Sequence, residues 1–236
     1  MVNFVCEIPM GVTAKLEVQK KLPNNPIMQD TKKGALRCAP PPRHSHRPPP
    51  TKRWPQEVLA RLPALPLSRA RSGACAGADY TYGSPFFNYG MLPQTWEDPA
   101  KKGFNGTLGD NDPLDVMEIG SRPFKMGEMR PVKILGDLEL IDQGELDHKI
   151  IVIDASDPLA ARLNSAADMA TVMPGVLEKL IEWLKMYKTT DGKAINVLAS
   201  DTPKTAAEAA AVVSECHASW TALKARGPGA TGFWLG

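Results

Sequence analysis

Three carboxylates crowd one short stretch of this chain, Gly109-Asp110-Asn111-Asp112-Pro113-Leu114-Asp115-Val116, at positions i, i+2 and i+5. Asp side chains are short, so three in one turn cannot reach distant lysines, and their repulsion is costly unless a cation lies among them. Hard oxygen donors clustered in this way suit Mg2+ or Ca2+. Two other readings compete, a solvated acidic turn and an EF-hand loop. The EF-hand needs Gly at its sixth position, where Asp115 stands. A second acidic cluster, Ile141-Asp142-Gln143-Gly144-Glu145-Leu146-Asp147-His148-Lys149, repeats the five-residue spacing at Asp142 and Asp147 around a Gly turn. If its flanks pair as a hairpin, these carboxylates return beside the first cluster; the plain alternative is a polar hairpin. Facing carboxylate clusters that hold two or more divalent ions activate a water and clamp phosphoryl oxygens. Splitting a phosphoric anhydride also needs cations at both phosphates. The candidates are Lys15, Arg37, Lys149 and the pair Tyr187-Lys188, each of which taken singly also reads as a solvated surface charge.

The elements that must position these groups change character along the chain. Phe4–Ile8 and Ala14–Gln19 read as strands, the latter with Leu16 and Val18 on one face and Lys15, Glu17 and Gln19 on the other. Asn24-Asn25-Pro26 and Lys32-Lys33-Gly34 supply turns. Residues 38–78 contain Pro40-Pro41-Pro42 and Pro48-Pro49-Pro50, which cannot supply a strand ladder. They read as a disordered insert, with a weak helix signal at Gln56–Arg61. Short apolar runs follow at Asp115–Ile119, Pro131–Leu135, Asp137–Ile141 and Lys149–Ile153, pointing to an antiparallel barrel or sandwich. Val176, Leu177, Leu180, Ile181 and Leu184 then predict an amphipathic helix from Pro174 to about Tyr187. A second helix is expected with Thr202 as N-cap and Pro203 at N1, ending before Gly227, with Val213, Cys216, Trp220 and Leu223 inward.

The 236 residues suffice to bury a substantial core. Seven basic side chains against Glu57 alone give residues 38–78 a charge of +6, so the rest of the chain carries −4 of the overall +2. That balance argues against nucleic acid as a partner. No apolar run is long enough to span a bilayer, which argues against a membrane partner, and Met1-Val2-Asn3-Phe4 lacks the pattern of a signal peptide. Cys6, Cys38, Cys75 and Cys216 form no CxxC pair, while His44, His46, His148 and His217 lie outside zinc-finger spacing. A reducing, cytoplasmic setting is the default, with an organellar form that has lost a transit peptide left open.

At this point the motifs carry a resemblance. Asp110-Asn-Asp-Pro-Leu-Asp115-Val resembles the signature of family I soluble inorganic pyrophosphatases. Ala14-Lys-Leu-Glu17, Asn25 to Arg37, Asn88-Tyr89-Gly90, Pro93 to Pro99, Asp142 to Lys149, and Tyr187-Lys188 with Asp191-Gly192-Lys193 match in the same order, with a eukaryotic flavour. The resemblance spans roughly residues 2–37 and 80–225. It implies an α+β fold: a mostly antiparallel, OB-like closed β-barrel with two or more helices packed outside. It implies hydrolysis of diphosphate to two phosphates with several Mg2+ ions. Asp110, Asp115 and Asp147 would ligate the ions that activate water, Asp142 would hold a further ion, and Glu17 would reach metals through water. Asp112 would serve as general base or hydrogen-bond the metal-bound hydroxide, and Lys15, Arg37, Tyr89, Lys149, Tyr187 and Lys188 would hold the phosphates. A homodimer is what the eukaryotic branch implies.

Two departures stand against that pattern. Eukaryotic members carry further strand sequence before Val2–Ile8, and residues 38–78 differ from the family's usual connection. The expected organisation is one domain over 1–226, interrupted at 38–78, with a flexible tail at 227–236. Two competing functions follow: an impaired relative acting as an interaction protein through its Pro/Arg-rich insert, and a calcium-binding module.

Overall fold

The computed structural model describes residues 1–32, 35–36, 82–189, 193–227 and 232–235. The proline-rich stretch, the helix signal at Gln56–Arg61 and Arg37 lie outside the described residues. Strand β1 (Val2–Ile8) is followed by two antiparallel ribbons, β2 (Leu16–Val18) with β3 (Ile27–Gln29) and β4 (Thr31–Lys32) with β5 (Ala35–Leu36). Then come β6 (Asn88–Met91), β7 (Leu108–Gly109), β8 (Asp115–Glu118), β9 (Met129–Asp142), β10 (Glu145–Asp154) and β11 (Val197–Leu198).

These six join β1 in one sheet of order β11-β9-β1-β6-β8-β10-β7. Strand β10 also pairs with β9, so the ladder returns to a strand it has already used. Pairings within it are antiparallel except those of β10 with β7 and β8, which are parallel. The β9–β10 turn uses Gln143 and Gly144 at φ +55° and +95°. Two positive φ values in a two-residue loop match the right-handed twist of the flanking strands, so register is set locally.

Sequence patterning predicts two strands where β9 runs unbroken, with Gly136 between them. Gly136 opposes Ile151 and Ile134 opposes Val152, leaving Leu135 as an extra residue in a bulge. A Cβ on Gly136 would lie 2.7 Å from the Lys204 carbonyl oxygen, so glycine here serves a close backbone approach.

Strand β10 is apolar on both faces because both are covered. Ile151 and Ile153 join a cluster with Phe87, Met117 and Leu138, sealed by Leu180, Trp183 and Leu184 of α2 (Val176–Met186), which follows the single turn α1 (Met169–Val172). Ile150 and Val152 join Phe4, Val116 and Val132, sealed by Val213 and Cys216 of α3 (Ala206–Ala225). Burying each large aliphatic or aromatic side chain contributes about 1.5–3 kcal/mol.

Helix α3 begins three residues later than expected. Lys204 pairs with Asp137 as a β-bridge, its N–H reaching the Asp137 carbonyl at 2.8 Å, which keeps residues 203–204 extended. Thr205 is the N-cap: its hydroxyl accepts from Glu208 N–H at 3.2 Å, and Glu208 accepts from Thr205 N–H at 2.8 Å. Part of the expected tail is anchored, since Phe233 is buried against Trp96 and Leu223 and Trp234 N–H donates to the Lys20 carbonyl at 2.7 Å. No described helix is long and apolar enough to cross a membrane.

Candidate active site

The parallel pairings of β10 build the site. Leu146 opposes Gly109 and Lys149 opposes Asp115, so β10 covers in three residues what its neighbour covers in six. The surplus, Asp110 to Leu114, must bulge out of the sheet. It is shaped by Asn111 at φ +68° and by Asp112 N–H donating to Asp110 Oδ1 at 2.9 Å. Glu97 fixes the bulge by its backbone, donating from its N–H to the Asp112 carbonyl at 2.8 Å and accepting from Asn111 N–H at 3.0 Å. Trp96 Nε1 donates to Asn111 Oδ1 at 3.0 Å. The two acidic clusters thereby meet, through a parallel neighbour that sequence spacing alone does not reveal.

They open on a cleft of about 400 Å³. Among the residues expected to act, Lys15, Glu17, Tyr89, Asp110, Asp112, Asp115, Asp142, Asp147, Lys149, Tyr187 and Lys188 all line it. Arg37 lies outside the described residues. Lys149 is fully buried and donates to both oxygens of Asp147 at 2.5 Å; it also pairs with Asp115 and donates to the Tyr89 hydroxyl at 3.0 Å. Tyr89 in turn donates to Asp115. Lys188 pairs with Asp142, and Lys15 with Glu17 and, at 3.4 Å, Asp30. The Tyr187 ring stacks on Trp183 at 4.7 Å between centroids, which carries its position back to α2.

Ligand oxygens of Glu97, Asp110 and Asp147 all lie within 4.8 Å of one another. Burial, reinforced by Asp115, pushes the Asp110 carboxyl up to about 7. Burial likewise lifts Asp147 to about 7, against the pull of Lys149. Glu97 is raised well above the carboxylate range by burial and then by Asp110 and Asp147. Its Oε1 accepts from His148 N–H at 3.1 Å, yet its Oε2 is buried with no hydrogen-bond partner. A buried carboxylate with one unpartnered oxygen, beside Asp110 and Asp147 carboxylates whose burial disfavours their charge, fits a divalent cation.

Sequence reasoning missed Glu97, Glu7, Lys20 and Asp30. Glu7 lines the cleft, accepts from Val18 N–H at 2.6 Å, and is pushed up to about 8 by burial and the charge of Asp115. Lys20 pairs with Asp112 and donates to the Asn111 carbonyl at 2.8 Å. Glu7 and Asp30 have no other acidic residue at short spacing to single them out, Glu97 has only Asp98 beside it, and the partners of Lys20 lie 91 and 92 positions away.

A family model described as "Inorganic pyrophosphatase" matches residues 4–221. The chain is 38% identical over 228 residues to an inorganic pyrophosphatase of Drosophila melanogaster, covering 96% of this chain and 56% of that one. It is 39% identical over 229 residues to one of Eremothecium gossypii, covering 94% and 66%. The chain thus spans less than two thirds of the length of these curated relatives. Among solved structures, an N-terminal domain truncated vacuolar soluble pyrophosphatase of Trypanosoma cruzi in complex with PPi superposes at a TM-score of 0.75, with 33% identity, over 94% of this chain and 69% of that one.

Proposed function

The chain belongs to the inorganic pyrophosphatase family, and we propose that it hydrolyses diphosphate to two phosphates in a Mg2+-dependent reaction. The observation that carries this is the convergence of two carboxylate clusters, with lysines and tyrosines interleaved, on one cleft. Such a site suits a small polyanion brought in with divalent cations and suits little else.

Glu97, Asp110 and Asp147 would hold one cation, with Asp115, Asp142 and Glu17 offering carboxylates for others. Bound Mg2+ would lower the pKa of a water and neutralise phosphoryl oxygens. Lys149, Lys188 and Lys15, with Arg37, present positive charge to the two phosphates, and the Tyr89 and Tyr187 hydroxyls add donors that orient them. Asp112, whose side chain is about half exposed at the cleft, takes the proton from the attacking water. A new P–O bond forms, the bridging P–O bond breaks, and the leaving phosphate departs between the lysines.

The ring of pairings β9-β1-β6-β8-β10-β9 supports an OB-like closed barrel, with residues 1–226 as one domain around the 38–78 insert. The cytosol is the proposed compartment and a homodimer the proposed assembly. The interaction-protein reading rests on residues outside the described set, and nothing favours it.

The test is phosphate release from diphosphate by residues 1–236, with Mg2+, with Ca2+ and with neither, beside Asp112→Ala. We expect release only with Mg2+, and a loss of about 10²–10⁴-fold in the variant. Folded protein that releases none would refute the reading. Ca2+ binding without turnover under any condition would favour a calcium module instead.

A further inference from the structure

We infer that Lys20 is a positioning residue for the reaction and that the segment Phe233-Trp234-Leu235 straps it in place. The inference rests on the reading of Asp112 as the group that takes the water's proton. Lys20 touches the Asp110–Leu114 bulge twice, through its ion pair with Asp112 and its hydrogen bond to the Asn111 carbonyl. It therefore grips both the backbone at the crest of the bulge and the carboxylate that must face the water. The lysine itself is held from the other end of the sequence. Trp234 N–H donates to the Lys20 carbonyl at 2.7 Å, and the Lys20 ammonium lies 5.0 Å from the centroid of the Phe233 ring, within cation–π range.

Phe233 is not loose. It is buried with Trp96 and Leu223, and Trp96 is the residue whose indole N–H holds Asn111. One aromatic cluster thus fixes the bulge through Trp96 and the cation that aims Asp112 through Phe233. Burial lowers the proton affinity of the Lys20 ammonium, and the carboxylates of Asp110 and Glu17 oppose that. A long side chain fixed in advance by a ring face and a backbone bond loses less freedom when it engages its partner. A displacement of about 1 Å in a reacting group costs on the order of a hundredfold in rate. Lys20 and its strap therefore act on turnover, through Asp112, with little effect on diphosphate affinity.

The experiment is steady-state diphosphate hydrolysis by the full chain with Mg2+, comparing wild type with Lys20→Met, Lys20→Arg, Phe233→Leu and the Lys20→Met/Phe233→Leu double variant, each with a thermal melt. Leu at 233 keeps apolar packing while removing the ring face, so the protein stays folded. We expect Lys20→Met to lower kcat on the order of ten- to a hundredfold with KM changed by less than about threefold. Lys20→Arg should recover most of kcat. Phe233→Leu should give a smaller loss of the same kind, and the double variant should be no slower than Lys20→Met alone. Wild-type kcat in Lys20→Met would overturn the role of Lys20. Additive losses in the double variant, or a Phe233→Leu protein that melts earlier at unchanged kcat, would overturn the strap. If the wild-type chain hydrolyses no diphosphate, the functional reading falls and this inference with it.

Discussion

At the scale of single residues, the site is governed by how few cations must answer many buried carboxylates. Lys149 stands between Asp115 and Asp147 with its ammonium shielded from water. Replacing it with Met leaves Asp147 without its cation and Asp115 with only the Tyr89 hydroxyl, a change that costs about 3–5 kcal/mol when the pair is buried. For a chain of this size that is roughly 6–20 °C in melting temperature. The prediction is specific: metal-free Lys149→Met melts well below wild type, and Mg2+ recovers more of the loss than it adds to wild type, because the freed carboxylates take up the ion. Equal recovery in both proteins would mean that Lys149 and the cation do not share these oxygens. Glu97 gives a second test. Its Oε2 has no partner while its neighbours Asp110 and Asp147 are themselves desolvated. Glu97→Gln should weaken divalent-ion affinity by about tenfold or more, measured by calorimetric titration with Mn2+ as a Mg2+ surrogate. An unchanged titration would exclude Glu97 from the metal centre.

At the scale of elements, the bulge and the helices decide how accurately those residues meet. Helix α3 closes one core cluster and supplies the carbonyl of Cys216 to Trp96 N–H at 3.0 Å, so its docking reaches the Asn111 loop. Thr205→Ala removes its N-cap and should cost about 0.5–2 kcal/mol in chemical denaturation; a cost below about 0.3 kcal/mol would mean that the Lys204 bridge sets the helix start instead. The same elements mark what the sequence made legible. Strands β8 and β10 and helix α2 were readable because their apolar spacing is local, and the two acidic clusters were readable because five-residue spacing is local too. The continuity of β9 was not, since Gly136 resembles a strand break until the Lys204 carbonyl lies against it. The expected start at Thr202-Pro203 is pre-empted by the Asp137–Lys204 bridge, which moves the N-cap to Thr205. Glu97 and Lys20 were hidden because their roles depend on cleft residues 13 to 92 positions away in the chain.

At the scale of the whole molecule, burying carboxylates makes stability depend on pH in a direction opposite to the common one. Surface carboxylates paired with cations favour the folded state as pH rises. Here burial dominates: Glu7 is pushed up to about 8 and Glu118 up to about 7, from an ordinary value of 4.5. Glu118 keeps its raised value although Asn88 Nδ2 donates to it at 2.7 Å and Gly120 N–H at 2.8 Å. In the folded protein these groups keep their protons to about pH 7–8, whereas the unfolded chain releases them near 4.5. The folded state therefore binds more protons within that window, and stability must fall as pH rises through it. Metal-free protein should melt at a lower temperature at pH 8.5 than at pH 6. Glu7→Gln isolates one contribution, because the amide oxygen can still accept from Val18 N–H but nothing titrates. That variant should show a shallower decline in melting temperature between pH 5 and pH 8.5 than wild type. If its slope equals that of wild type, Glu7 is ionised in the folded state at neutral pH. The cleft would then carry one more negative charge than its burial favours, and its demand for cations would be greater by that amount.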